Sequence, residues 1–179
     1  MDASTLTSIK NVFHSMKKSA DGALAQVSLD ELLFAPGPEV NSIAVTIQHL
    51  HGNMLSRWTD FLTSDGEKAT RNRDGEFETP RQATRDSILD LWESGWRCTF
   101  SAIDALQPGD LDRTITIRGQ AHTVVEALHR QIFHYGYHIG QIVTLAKMQR
   151  GANWKTLSIA RGRSKEYAPK GAHGEPPVK

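Results

Sequence analysis

The chain has 179 residues, enough for one domain to bury a core without disulfides. Its 21 Lys and Arg nearly cancel its 20 Asp and Glu, so the charge balance argues against a nucleic-acid partner or a membrane surface. A lone cysteine, Cys98, excludes a disulfide within the chain, no stretch reaches the roughly 20 consecutive apolar residues of a membrane span, and Met1 to Lys18 lacks the apolar run of a secretory signal; a cytoplasmic protein is expected.

The first helical pattern runs from about Ser4 to Gln26, with Leu6, Ile9, Val12, Phe13 and Met16 forming one apolar stripe, and it ends before the breaker Ala35-Pro-Gly-Pro38. A second begins near Asn41 or Ser42, both good N-cap types, and continues to about Thr63 through Ile43, Ile47, Leu50, Met54, Trp58 and Phe61. A polar loop follows, Glu67 to Thr79, containing Arg71 and Arg73. The third pattern is expected to start at Thr79-Pro80 and to carry Ala83, Ile88, Leu91, Trp92, Trp96, Phe100 and Ile103 up to Pro108-Gly109. Thr114 to Ile117, closed by Gly119, reads as a short β-prone piece. The fourth helix spans about Thr123 to Arg150, with Gly151 as its cap, and from Ala160 onward the chain is rich in Lys, Arg, Gly and Pro. These patterns predict an all-α four-helix bundle over residues 1–159, with at most a short β-ribbon before the last helix, and a basic C-terminal tail over 160–179.

The chemistry concentrates in His134-Tyr-Gly-Tyr-His138. Residues at i and i+4 share a helix face, so both imidazoles can reach one metal ion, and a third histidine from another helix would give three protein ligands and leave a coordination position open. At about 100° per residue, His134, His138 and Gln141 fall beside an apolar arc of Leu128, Ile132, Ile139 and Ile142, at the edge of a buried face. The second helix offers two candidates for the third ligand. His49 shares a polar stripe with Asn53, Ser56, Arg57 and Asp60, whereas His51 falls among Ala44, Ile47, Trp58 and Leu62; periodicity slightly favours His51 as the more buried and leaves the choice open.

Asn53 and Arg57 follow His49 on its stripe, and Gln141 follows His138, so these three are the candidate helpers, Gln141 to orient a bound water or substrate. Arg57, Arg71 and Arg73 have the forked donors that receive an anionic substrate, although Arg71 and Arg73 read equally well as a solvated loop paired with Asp74 and Glu76. No carboxylate presents itself as a general base; Glu126 reads as a surface or capping residue near its helix start. Trp92 and Trp96 read as core or interface residues, and Cys98 as a small buried hydrophobe.

The run Ile47-Gln-His49-Leu-His-Gly-Asn53-Met-Leu-Ser-Arg57-Trp-Thr-Asp-Phe61, followed by Asp65-Gly-Glu-Lys68 and Arg71-Asn-Arg73-Asp, resembles a branch of the DinB/YfiT-like superfamily without an assigned function. Ile117-Arg-Gly119, His122-Thr-Val-Val-Glu126, Arg130-Gln131, the His134 to Gln141 segment and Trp154 to Ile159 resemble the same branch, so the likeness extends from about Ser42 to Ser164. It implies a four-helix bundle, commonly homodimeric, whose divalent metal is held by His49, His134 and His138. Relatives usually carry a small residue where His51 stands, and proline where Ala160 stands. Three neutral imidazoles suit zinc or nickel, with iron and copper as alternatives. Some members of the wider superfamily are thiol S-transferases or thiol-dependent isomerases, which implies a transferase or hydrolase acting on a small molecule. The competing expectation is a non-catalytic, metal-binding dimer serving as a binding or stress-related module, its site closed by a fourth ligand such as His51.

Overall fold

The computed structural model describes residues 3–166 and is mostly helical. Its α-helices are α1 (Ala3–Leu24), α2 (Leu29–Leu33), α3 (Ile43–Trp58), α4 (Arg85–Asp104) and α5 (Val124–Arg150), and a two-stranded antiparallel sheet, β1 (Thr114–Ile117) and β2 (Gln120–Thr123), stands before α5. Side-chain oxygens set four of the helix starts: Ser28, Ser42, Thr84 and Thr123 each accept from the backbone N–H three residues on, satisfying a donor that has no partner inside the helix. Glu126 returns the contact to Thr123, which accounts for it as a capping residue.

Two boundaries and one short helix differ from the sequence reading. Helix α4 begins at Arg85 rather than at Thr79-Pro80, because the capping box of Thr84 with Ser87 fixes the start and leaves Pro80 in the preceding loop. Helix α3 stops at Trp58 instead of Thr63: Asp60 adopts a left-handed backbone (φ 49°), and its carbonyl accepts from the N–H groups of Thr63 and Ser64 in a closed turn. The five-residue α2 was not expected; the Ser28/Glu31 capping box encodes it. Beyond residue 166, the expected basic tail lies outside the described residues.

Helix α3 packs against α4 and α5, and α1 packs along α5. Twelve of the residues of α3 are buried, polar His49, Asn53, Ser56 and Arg57 among them. The α3–α4 approach is close at Gly95, where a Cβ would stand 2.8 Å from Met54 Sδ and 3.3 Å from His51 Cα. The core between the helices is aromatic. Phe13 meets Trp58 and Tyr135 edge-on at 6.1 Å, and Trp96 meets Tyr135 at 5.8 Å and Trp92 at 5.5 Å. Trp92 and Trp96 are therefore core residues, whereas Cys98 is only half-buried. Polar contacts thread this core toward one surface: Trp58 Nε1 donates to Tyr135 Oη (2.9 Å), as Gln131 Nε2 does to Asn53 Oδ1 (3.0 Å).

The β1–β2 hairpin turns on Arg118 and Gly119, at φ 53° and 72°, the two left-handed residues of a tight two-residue hairpin loop. Asp65 holds that turn from outside the sheet, its carboxylate accepting from the backbone N–H of Arg118 (2.9 Å) and of Gly119 (2.8 Å). None of the described helices is long and apolar enough to cross a membrane.

Candidate metal centre

Helix α5 carries His134 and His138 one turn apart, with Gln131 buried one turn before His134 on the same cavity wall and Tyr135 buried in the core beside His134. Helix α3 brings His49 against them. Ring centroids are 4.7 Å apart for His134 and His138, 5.3 Å for His49 and His134, and 4.9 Å for His49 and His138. One nitrogen from each of the three rings lies within 4.8 Å of the others. His49 Nε2 and His134 Nε2 stand 3.2 Å apart. Two ligands about 2.05 Å from one ion at the tetrahedral angle are separated by about 3.3 Å, so this spacing suits a shared metal.

The far nitrogens decide which face of each ring is free. His49 Nδ1 lies 2.9 Å from Glu76 Oε2, and a carboxylate only accepts, so Nδ1 carries the proton and Nε2 presents its lone pair. His138 Nδ1 lies 2.8 Å from Gln141 Oε1, with the same consequence. His134 Nδ1 is buried without a hydrogen-bond partner. A hydrogen bond from His134 Nε2 to His49 Nε2 would satisfy that pair in the metal-free protein, but it gives no reason for a third oriented imidazole beside them. The donor set fits a divalent ion: two of three rings are fixed through their outer nitrogen by an acceptor, the arrangement that orients metal-binding histidines.

Electrostatics keep the rings uncharged. Burial first, then the neighbouring His138 and His49, pushes His134 down to about 3. Burial also lowers His49, against the opposing pull of Glu76, and lowers His138, against that of Gln141. Neutral imidazoles are the form that binds metal.

Glu76 is the residue that sequence reasoning missed as part of the site. It is 7% exposed and comes from the loop after α3, 27 residues from His49 in sequence. Arg71 grips its carboxylate with two bonds of 2.7 Å, from Nε to Oε1 and from Nη2 to Oε2. Gly52 makes the approach feasible, since a Cβ there would lie 2.6 Å from Glu76 Cδ. The only signal in sequence was the glycine one turn after His49 on a helix. Phe77, next in the chain, stacks on the His49 ring at 4.8 Å.

Among the helper candidates, Asn53 and Arg57 line the same cavity as the three histidines, of about 410 Å³. Asn53 Oδ1 accepts from Gln131, and Gln141 Oε1 accepts from His138 Nδ1, so through its oxygen Gln141 orients the His138 ring. Arg71 pairs with Glu76 as the loop reading expected, and with Glu67 as well, but its side chain is buried rather than solvated; Arg73 is exposed and lies over Phe77 at 5.7 Å. The relative burial expected of the two α3 histidines is reversed: His49 is 4% exposed, whereas His51 is half-buried and lines a separate cavity with Gln48, Gly52 and Leu55. The reversal arises because the loop carrying Glu76 and Phe77 covers the polar stripe of α3. His51 takes no part in the cluster.

No curated protein matches the chain. Residues 1–163, the whole of the cluster and its supporting loop included, match the family described as "Protein of unknown function (DUF1572)", and the chain belongs to that family.

Proposed function

We propose that the protein is a divalent-metal-dependent enzyme of transferase or hydrolase type acting on a small molecule, with His49, His134 and His138 as metal ligands. The observation that carries this reading is the convergence of three uncharged imidazoles from two helices at the wall of an open cavity. Zinc or nickel heads the candidates, with iron or copper behind them. An ion held by three ligands would supply Lewis acidity to a water or thiol in the remaining position.

The chain's own residues prepare that position. Glu76 and Gln141 fix which nitrogen of His49 and His138 faces the centre, Arg71 fixes Glu76, and burial keeps the rings unprotonated. Among the described residues no carboxylate lines the cavity, and Glu76 is fully engaged, so none of them stands as a general base. That favours a thiol over water as the nucleophile, because a thiol ionises near pH 8.5 and needs far less help to lose its proton. A thiol S-transferase is therefore the preferred form of the proposal. On this reading the family is a branch of the DinB/YfiT-like superfamily, α1, α3, α4 and α5 form its four-helix bundle, and the protein works in the cytoplasm as a homodimer.

The second reading, a non-catalytic metal-binding dimer, draws support from Phe133 and Tyr137, 78% and 58% exposed on consecutive turns of α5. It requires a fourth protein ligand, and His51 is on the wrong side of α3. Cobalt(II)-loaded protein separates the two. A change in its visible spectrum on adding azide or a small thiol is expected for the enzyme; a spectrum indifferent to every exogenous ligand would overturn the catalytic reading.

A further inference from the structure

The cavity beside the three histidines is lined, among the described residues, by five arginines, Arg57, Arg71, Arg73, Arg118 and Arg130, and by no Asp or Glu. Two carboxylates lie close enough to answer them. Glu76 is bound by Arg71, and Glu67 is shared among Arg71 (3.3 Å), Arg118 (3.2 Å) and Arg57 (3.8 Å). Asp65 is occupied with the backbone of the hairpin turn. Arg73 and Arg130 form no ion pair among the described residues, so positive charge is left over on this wall.

Arg57 is the decisive residue. It is 3% exposed, its Nε and Nη1 are buried without any hydrogen-bond partner, and its nearest carboxylate is beyond hydrogen-bonding distance. A buried guanidinium without acceptors is costly, yet the fold makes room for it. Gly66 stands where a Cβ would lie 2.6 Å from Arg57 Nη1, and its backbone is fixed by bonds to Thr116 O (2.8 Å) and from Ser56 Oγ (3.2 Å). The hairpin contributes a second cation in an unusual way: Arg118 occupies a left-handed turn position that favours Asn, Asp or Gly, and the conformation brings its side chain to the cavity wall.

We propose that this cavity is an oxyanion receptor, and that the small molecule acted on at the histidine centre carries a carboxylate or phosphate group that seats against Arg57, with Arg118 and Arg130 at the mouth. Guanidinium forks match both anions, and the cavity volume, about 410 Å³, suits a small ligand. The assignment of the cavity as a substrate site rests on the function proposed above; the anion preference rests on the arginines alone.

The test is calorimetric titration of the metal-free protein with inorganic phosphate and, separately, with succinate, at ionic strength held constant with chloride. At least one anion is expected to bind, more weakly as salt rises, and whichever binds names the group recognised. Arg130→Gln, at an exposed position, is expected to weaken binding about 10-fold, and Arg57→Gln to abolish it. Neither anion binding to wild type, or folded Arg57→Gln and Arg130→Gln proteins binding as wild type does, would overturn the inference; if Arg57→Gln does not fold, Arg130→Gln decides. Zinc titration of the same samples keeps the two proposals apart. Protein that takes zinc but neither anion contradicts the receptor alone, and protein that takes an anion but no zinc contradicts the metal centre alone.

Discussion

Replacing Glu76 with glutamine changes one oxygen to an amide nitrogen and leaves the shape nearly intact. In the native site Oε2 accepts from His49 Nδ1 at 2.9 Å and from Arg71 Nη2 at 2.7 Å, while Oε1 accepts from Arg71 Nε at 2.7 Å. A glutamine has one acceptor for these three donors. With its oxygen toward His49, the NH₂ faces Arg71 Nε; flipped, it faces His49 Nδ1. Either arrangement sets a donor against a donor, and the flipped one also frees His49 to adopt the other tautomer, which would protonate the nitrogen that faces the metal. Losing such an outer-nitrogen partner typically weakens metal affinity about 10–100-fold, or roughly 1.4–2.7 kcal/mol. Arg71 keeps Glu67 at 3.3 Å, so the fold should tolerate the change. Competition against a chromophoric zinc chelator at pH 7.5 measures the affinity, and circular dichroism checks the helices. A Glu76→Gln protein that folds and binds zinc within a factor of two of wild type would refute the role given to Glu76.

Three other outcomes are expected. Gly52→Ala suits a helix by propensity but places a Cβ 2.6 Å from Glu76 Cδ, so zinc affinity should fall about as far as in Glu76→Gln while helicity is kept, measured by the same competition and dichroism. In metal-free protein the three rings have folded-state pKa values below the unfolded value near 6.5, so the unfolded chain binds more protons as pH falls. Their contribution is complete above pH 6.5 and is lost below it; for His134, held at about 3, the loss is about 2 kcal/mol between pH 7.5 and 5, and urea titrations should show His134→Ala with a shallower pH dependence over that window. Thr123→Ala removes the oxygen that accepts from Glu126 N–H at the start of α5, and should cost about 1 kcal/mol in urea denaturation without altering zinc stoichiometry.

The elements that could be read from sequence are those whose signals are local. Apolar stripes and Gly151 marked α1 and α5, and Asn41 and Ser42 marked the start of α3, where Ser42 is the cap, because periodicity and caps act within a few residues. Pro80 misled for the same reason: proline is compatible with a first helical turn, but Thr84 offers a capping box and the helix starts there. The His134/His138 pair was visible from spacing. His49 was not, since angles alone put His51 on the more apolar side; what buries His49 is a loop 27 residues away, and Gly52 is the one mark on α3 of where that loop lands. Glu76 was hidden by the same distance. The arginines divide likewise. Arg57 could be placed on the histidine stripe, whereas Arg118 and Arg130 reach the cavity through the hairpin and the packing of α5 on α3.

The central claim is that His49, His134 and His138 hold one metal ion. Its most direct test is metal content per chain in protein purified without an immobilised-nickel column, for wild type and for His49→Ala, His134→Ala, His138→Ala and His51→Ala. One equivalent is expected in wild type and in His51→Ala, with loss in each of the other three. No metal in wild type even after incubation with zinc, or full retention when His134 or His138 is removed, would contradict the account.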